Sequence, residues 1–170
     1  MMVAMRSVNG ALYALLNTCQ LAVAELLDNK VELKLLGGEV DEHVRDAWME
    51  SKDFILGECA GDPLLIFKFK VSVNPAYKVF RWEPGEERWV RVRSLRRRTL
   101  FMSINGFDAW LIPDSPGVRG DCIYEALPRA ADWSEYSLVD GTCELVTIEY
   151  QGAPGVDAAR TQVWVLPSFF

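Results

Sequence analysis

Hydrophobic and polar residues alternate through the middle of the chain. Leu65–Val71 follows the two-residue period of a half-buried strand. Tyr77–Trp82 and Trp89–Arg93 alternate in the same way on either side of Pro84-Gly85. Proline fixes φ and glycine accepts a positive φ, so this pair favours a tight turn. The pattern predicts a β-hairpin over residues 77–93.

Short strand-like segments continue toward the C-terminus, with turn residues between them. Asn105-Gly106 separates two of these segments, and Asp140-Gly141 is a typical hairpin turn. Strands at a spacing of about 8–12 residues with such turns predict a sandwich, a barrel or a propeller. The predicted strands are Thr99–Met102, Phe107–Ile112, Asp121–Ala126, Glu135–Val139, Cys143–Tyr150 and Gln162–Leu166.

The first fifty residues give a mixed pattern. Alanine and leucine favour a helix over Gly10–Asn29, and on the residues alone the helix is the favoured interpretation. The alternative is a pair of strands, Ala11–Leu16 and Gln20–Leu26, joined by a turn at Asn17-Thr18. The pattern of Asp41–Trp48 indicates a short helix, with Asp41 as its N-cap, or a loop.

Composition narrows the class of protein. The chain has 170 residues, 50% hydrophobic and 25% charged, with a net charge of −6, which suits one globular domain. No apolar run approaches the roughly 20 residues of a transmembrane helix, so we expect no membrane association. Residues 63–103 contain 10 basic and 3 acidic residues. By contrast, residues 1–62 contain 5 basic and 11 acidic residues, and residues 104–170 contain 3 basic and 10 acidic residues. This basic middle is either neutralised by the acidic flanks or faces a partner.

Catalytic and metal-binding motifs are absent from the sequence. His43 is the sole histidine, and no G-x-S-x-G motif accompanies it, so we expect no hydrolase and no catalytic residue. An apolar stretch follows Arg6, but polar residues interrupt it and it lacks a cleavage site, so it is not read as a signal peptide. We expect no metal, no cofactor and reduced thiols in the cytoplasm or the nucleus. The cysteines, none of them in a C-x-x-C pair, are Cys19, Cys59, Cys122 and Cys143.

Arginines and tryptophans are the remaining candidates for contacts with partners. The arginines form a candidate basic contact patch for nucleic acid or an import receptor, or else a solvated turn. The six tryptophans suggest core packing, or a stacking platform for sugar or single strands. The basic residues are Arg91, Arg93, Arg96, Arg97 and Arg98, and the tryptophans are Trp48, Trp82, Trp89, Trp110, Trp133 and Trp164.

Residues 77–126 resemble a plant family of F-box-associated, propeller-like proteins, the domain of unknown function 295. The resemblance extends outward to Asn9–Leu26, Asp53–Val71, Ser134–Thr142 and Val163–Phe170. The elements that carry it, in the family's order and spacing, are Lys78–Arg81, Trp89–Leu95, Arg98, Leu100-Phe101, Pro116-Gly117, Gly120 and Cys122-Ile123-Tyr124.

This resemblance implies the architecture. The chain resembles the C-terminal part of the family's longer domain. This implies a mostly β, antiparallel meander that forms one partial, propeller-like domain over residues 1–170, with one or two short helices at most. The best match covers residues 77–142, and residues 11–26 become a hairpin rather than a helix. Structural roles are implied for Trp89, Gly117, Gly120, Cys122 and Tyr124.

The resemblance also implies a function. Family members begin with a helical F-box that docks on a ubiquitin-ligase scaffold, and no segment before Gly10 resembles it. We therefore expect a non-enzymatic interaction module, similar to the substrate-recognition region of a plant F-box protein without the F-box. Such a module would regulate or compete for ligase clients without binding the scaffold directly. The alternative is binding of nucleic acid or an import receptor through residues 91–98.

The number of propeller blades that the chain can form bears on its assembly. At roughly 40 residues per blade, the chain holds about three to four blades. An open arc of blades leaves sheet faces and strand edges unpaired. We therefore expect either a small compact β structure, self-association, or a protein client that covers the exposed face.

Overall fold

The computed structural model describes residues 1–28, 30–71, 74–103, 106–113, 118–126 and 132–147. Within these residues lie thirteen strands in three sheets and one helix, so the predicted mostly-β class is confirmed. They divide into two compact units. The first unit comprises Met1–Lys70 and Tyr77–Arg93, and the second comprises residues 71–76 and the described residues from Ser94 onward. The one described helix is too short and too polar to cross a bilayer.

Sheet A is a four-stranded antiparallel meander at the N-terminus. Its strands are β1 (Met2–Val8), β2 (Ala11–Leu16), β3 (Leu21–Leu27) and β4 (Lys30–Leu36). They lie side by side in chain order, and β1 and β4 are the edges. The prediction of a helix over Gly10–Asn29 is therefore wrong, and the hairpin is confirmed.

Packing explains why this hairpin replaces the helix. Leu15 and Leu21 stand opposite each other at its closed end, and both are fully buried. Cys19 takes a left-handed φ of 62° in the turn, which lets the Leu16 N–H donate to the Gln20 carbonyl at 2.9 Å. Because both leucines join the hydrophobic core of the unit, tertiary packing outweighs their helix propensity.

Helix α1 (Glu42–Glu50) follows sheet A, as one of the two interpretations of Asp41–Trp48 predicted. Val44 and Ala47 form its buried side. Asp41 occupies the N-cap position, as predicted, although its side chain makes no capping hydrogen bond. The carboxylate lies 3.6 Å from the guanidinium of Arg88 instead.

Sheet B is the second antiparallel meander. It contains β5 (Asp53–Cys59), β6 (Asp62–Val71), β7 (Asn74–Glu83) and β8 (Arg88–Val92) in chain order. The predicted hairpin over residues 77–93 is confirmed. Strand β6 is buried at every position from Pro63 to Phe67, rather than half-buried, because it is an internal strand with both faces covered.

Trp89 joins the two sheets of the first unit. It pairs with Trp82 across the β7–β8 hairpin, and the two indole rings meet edge to face at 5.4 Å. Its indole N–H donates to the carbonyl of Cys19, in the β2–β3 turn of sheet A, at 2.9 Å. The structural role implied for Trp89 is therefore a hydrogen-bonded core contact between sheets A and B.

Sheet C belongs to the second unit and has the strand order β10-β9-β11-β12-β13. Strands β9 and β11 are parallel, so this sheet departs from a simple meander, while the other pairs are antiparallel. The predicted strand Gln162–Leu166 lies outside the described residues. The strands are β9 (Thr99–Ser103), β10 (Gly106–Leu111), β11 (Cys122–Ala126), β12 (Asp132–Ser137) and β13 (Cys143–Thr147).

The turn between β12 and β13 begins earlier than predicted. Strand β12 ends at Ser137, whereas the sequence predicted a strand to Val139. The Asp140 carboxylate accepts hydrogen bonds from the N–H and the hydroxyl of Thr142, and these bonds lower the pKa of Asp140 to about 2. Because the turn closes on this carboxylate, Val139 projects into solvent, where it is 66% exposed.

Candidate protein-interaction surfaces

Two family-motif residues of the second unit, Cys122 and Tyr124, are buried and join Glu135 and the more exposed Arg119 in a polar network. The Tyr124 hydroxyl donates to the Glu135 carboxylate at 2.6 Å, and Arg119 approaches the same carboxylate at 2.9 Å. Burial and the hydrogen bond to Glu135 raise the pKa of Tyr124. The Cys122 thiol points at Glu135 from 3.9 Å, and burial raises its pKa to about 11. At neutral pH the thiol and the phenol are therefore both protonated. Their contacts with Glu135 connect β11 to β12.

Gly120 occupies a close approach between two loops of the same unit. A Cβ atom at Gly120 would lie 2.7 Å from the carbonyl oxygen of Arg97, closer than such atoms come. Glycine is therefore required for steric reasons. Gly117, the remaining motif position, lies outside the described residues.

Asp121 organises the turn over residues 94–97, which we call the basic turn. Its carboxylate accepts hydrogen bonds from the Ser94 hydroxyl and from the backbone N–H groups of Leu95 and Arg97. Arg96 and Arg97 both take left-handed φ values, 55° and 65°, and the backbone therefore curves around this carboxylate. The anion site that the turn's backbone could offer to a phosphate is therefore already filled by the chain's own aspartate.

The five predicted contact arginines have different environments. Arg96 and Arg97 have exposed side chains, whereas Arg98 is half-buried. The Arg98 guanidinium donates a hydrogen bond to the Leu95 carbonyl and stacks on Trp110, with its central carbon 5.5 Å from the ring centre. Arg98 is thus a packing residue of the second unit. Arg91 and Arg93 are exposed and belong to the first unit.

An open pocket of about 460 Å³ lies beside α1 in the first unit; we call it the α1 pocket. Its volume falls in the range of sites that hold a ligand group or a large side chain. Apolar side chains and polar groups both contribute to its lining. It is lined by the β2–β3 turn (residues 17–20), by Glu39 and Val40, and by Arg45, Trp48 and Met49 of α1.

The walls of the α1 pocket combine a fixed ring with an adaptable side chain. The Trp48 ring lies 4.4 Å from Phe54 and meets Phe67 edge-on at 6.3 Å, so sheet B holds it from behind. Met49 is 82% exposed, and methionine side chains adapt to varied partners. On the rim, Arg45 and Glu39 form an exposed ion pair at 2.9 Å.

Cys19, one of the residues that line the α1 pocket, carries a protonated thiol. Its side chain is buried, and this burial raises the pKa of the thiol to about 12. The thiol is therefore neutral at physiological pH and acts as an apolar group.

Strand β4 is a second surface with the character of an interface. Val31, Leu33 and Leu35 share one face of this edge strand and are 66%, 43% and 50% exposed. On the other face Lys30, Glu32 and Lys34 alternate with them. An exposed apolar edge strand is a common place for a second polypeptide to pair.

Sequence reasoning missed both surfaces, although each had a signal. The strict alternation of apolar and charged residues over 30–35 is typical of a strand with one apolar face. In α1, Val44, Ala47 and Trp48 form an apolar stripe at helical spacing, and Met49 falls beside that stripe. The exposed Met49 extends this apolar stripe toward solvent, and this extension is the signal for the α1 pocket.

Comparison with known families gives one match. The KIB1-4 beta-propeller model matches residues 1–149, a range that includes every described strand. No curated protein matches the chain.

Proposed function

Because this chain belongs to the KIB1-4 beta-propeller family, we propose that it is a non-enzymatic protein-interaction module that binds a segment of a client protein in the α1 pocket. The observation that carries the proposal is the pairing of the fixed Trp48 ring with the exposed Met49 side chain around an open cavity. An exposed methionine beside a rigid aromatic wall matches the anchor pockets of protein interfaces.

The polar lining suits an extended peptide. Asn17, Thr18 and Gln20 contribute amide and hydroxyl groups on one side of the cavity. Such groups can bond to peptide N–H and C=O groups while an apolar side chain enters between Trp48 and Met49. Thr18 and Gln20 already bond to each other at 3.0 Å, which preorganises this side of the pocket.

Charge around the α1 pocket indicates the composition of the client segment. Residues 39–53 contain six acidic and two basic residues. Glu42 and Asp46 are exposed on α1, and the ion pairs of the described residues include neither of them. A client segment with basic residues flanking one large apolar side chain complements this surface.

Met49→Lys is expected to weaken binding of such a segment by at least about tenfold, because a charged group replaces the adaptable wall of the pocket. The probe is a peptide selected on the wild-type chain from a display library with a central apolar position. Titration calorimetry measures its affinity for wild type and variant.

His43→Lys is the matched control, since His43 is exposed on the same helix, is absent from the α1 pocket and gives the same change of charge. It should leave the affinity within about twofold. Selected peptides that bind the Met49→Lys variant as tightly as wild type, or that are predominantly acidic, contradict the proposal.

We further propose that the client is a substrate of a ubiquitin ligase, in the cytoplasm or the nucleus. The support is the resemblance of residues 77–142 to the plant F-box-associated family. When this chain occupies the client's recognition segment, the ligase loses access to that segment, so the chain acts as a competitor.

Overproduction of the chain in plant cells should therefore lengthen the half-life of the client. Pulse-labelling with quantitative mass spectrometry would measure half-lives in cells with wild type, Met49→Lys or His43→Lys. We expect one or a few proteins to be stabilised by wild type and by His43→Lys and unaffected by Met49→Lys. Equal half-lives in all three would contradict the ubiquitin-linked role and leave the peptide titration to decide on binding itself.

A further inference from the structure

We propose that a second copy of this chain pairs with strand β4, antiparallel and with the two-fold axis at Leu33, so that two sheets A join into one sheet of eight strands. This inference goes beyond the proposed function, because none of the β4 residues lines the α1 pocket.

The backbone of β4 is available for such pairing. It is the last strand of sheet A, and among the described strands it pairs with β3 alone. An edge strand presents N–H and C=O groups along its outer side, which an added strand can bond. Six of its seven residues are exposed.

The apolar face of β4 gives the pairing a driving force. Val31, Leu33 and Leu35 lie on this face, with Ala24 and Ala22 opposite Leu33 and Leu35 on β3. In the same cross-strand rows the register continues to Leu12 and Met5, which are 38% and 42% exposed. An added strand with large apolar side chains would cover the β4 end of this face.

The charged face of β4 specifies what that strand must carry. Glu32 stands directly opposite Glu25 of β3, and the ion pairs among the described residues include neither carboxylate. Like charges in opposite positions destabilise a sheet. A cation on the outer side of Glu32 would offset this repulsion, and the strand that pairs there should supply it.

A second copy supplies that cation in one register. With the axis at Leu33, each Glu32 lies opposite Lys34 of the other copy, Val31 lies opposite Leu35, and Leu33 meets its own equivalent. A shift of the axis by one residue, to Glu32, would place Glu32 against Glu32 and Lys30 against Lys34. Charge therefore selects the isologous pairing about Leu33 over the pairing about Glu32.

Charge exchange between the two positions tests this register. Glu32→Lys and Lys34→Glu should each produce a monomer, with the dimer dissociation constant raised at least about tenfold, because like charges then face each other twice. Glu32→Lys also removes the repulsion with Glu25, so its monomer should stay folded. The double variant, and an equimolar mixture of the two single variants, should both restore the dimer.

Sedimentation equilibrium of the full chain gives the mass of each species, for which wild type should approach twice 19.2 kDa. A wild-type chain that stays monomeric up to about 1 mM overturns the proposal, whether or not a strand of another protein occupies the edge. A dimer that survives both single variants, or a mixture that stays monomeric, overturns it as well. Peptide binding in the α1 pocket is read separately, by calorimetry on the β4 variants, and should be unchanged.

Discussion

Trp89→Ala is expected to lower the free energy of unfolding by about 3–5 kcal/mol, the usual loss for a large aromatic residue in a core. Trp89 is 4% exposed, packs edge to face on Trp82 and donates its indole N–H to the Cys19 carbonyl at 2.9 Å. Truncation leaves a cavity between sheets A and B and removes the donor from a backbone carbonyl. Urea denaturation followed by far-ultraviolet circular dichroism measures the change.

Trp89→Phe separates the two contributions. The phenyl ring retains much of the packing on Trp82 but cannot donate to the Cys19 carbonyl, so the expected loss is about 1–3 kcal/mol. Trp89→Ala should therefore be the more damaging of the two substitutions. An alanine variant within about 1 kcal/mol of wild type would contradict the role of Trp89 as the link between the two sheets.

Asp121→Ala is expected to destabilise the second unit by about 2–4 kcal/mol, because one carboxylate accepts several hydrogen bonds in the basic turn. Without it, the Leu95 and Arg97 N–H groups and the Ser94 hydroxyl lose this acceptor. Alanine is also strained at the φ of 60° that Asp121 adopts. Urea denaturation measures the loss, and the rate of tryptic cleavage after Arg96 and Arg97 should rise as the turn opens.

Asp121→Asn is the matched control for this experiment. Asparagine tolerates a positive φ and keeps one carbonyl oxygen as an acceptor. We expect roughly half the loss of the alanine variant and an intermediate rate of tryptic cleavage. If the alanine variant unfolds at the same urea concentration as wild type and resists trypsin equally, Asp121 does not organise the turn.

Together, the two proposed surfaces would give the protein a higher avidity than one pocket provides. A dimer paired through β4 carries two α1 pockets. A client with two recognition segments, or a client that is itself dimeric, would bind such a particle more tightly than a single pocket allows. Variants of β4 would then weaken binding of a bivalent client while leaving the affinity for a single peptide unchanged.

Regular patterns along the chain were sufficient to predict much of the fold. Alternation on both sides of Pro84-Gly85 predicted the β7–β8 hairpin, and Asp140-Gly141 marked the β12–β13 turn. Over Gly10–Asn29 propensity favoured a helix, and this prediction was wrong, because the burial of Leu15 and Leu21 depends on sheet B, which lies far along the sequence. The resemblance to a propeller family corrected this segment because it already reflects tertiary packing.

The sites were harder to predict than the fold. A count of charges placed Arg98 with Arg96 and Arg97 in one patch, but Arg98 stacks on Trp110. The difference arises from Asp121, whose carboxylate bends the turn and which lies more than twenty residues later in the sequence. Likewise, the α1 pocket forms where the β2–β3 turn of sheet A lies against α1. The contact between these two segments cannot be predicted from the sequence pattern of either one.

Chemical-shift mapping tests the central proposal most directly. The uniformly ¹⁵N-labelled chain is titrated with the selected basic–apolar peptide, and amide shifts are followed residue by residue. We predict saturable changes concentrated at the residues that line the α1 pocket, namely 17–20, 39, 40, 45, 48 and 49, and absent from the Met49→Lys variant. Saturable changes confined to other residues, or the same changes in the Met49→Lys variant, would contradict the account.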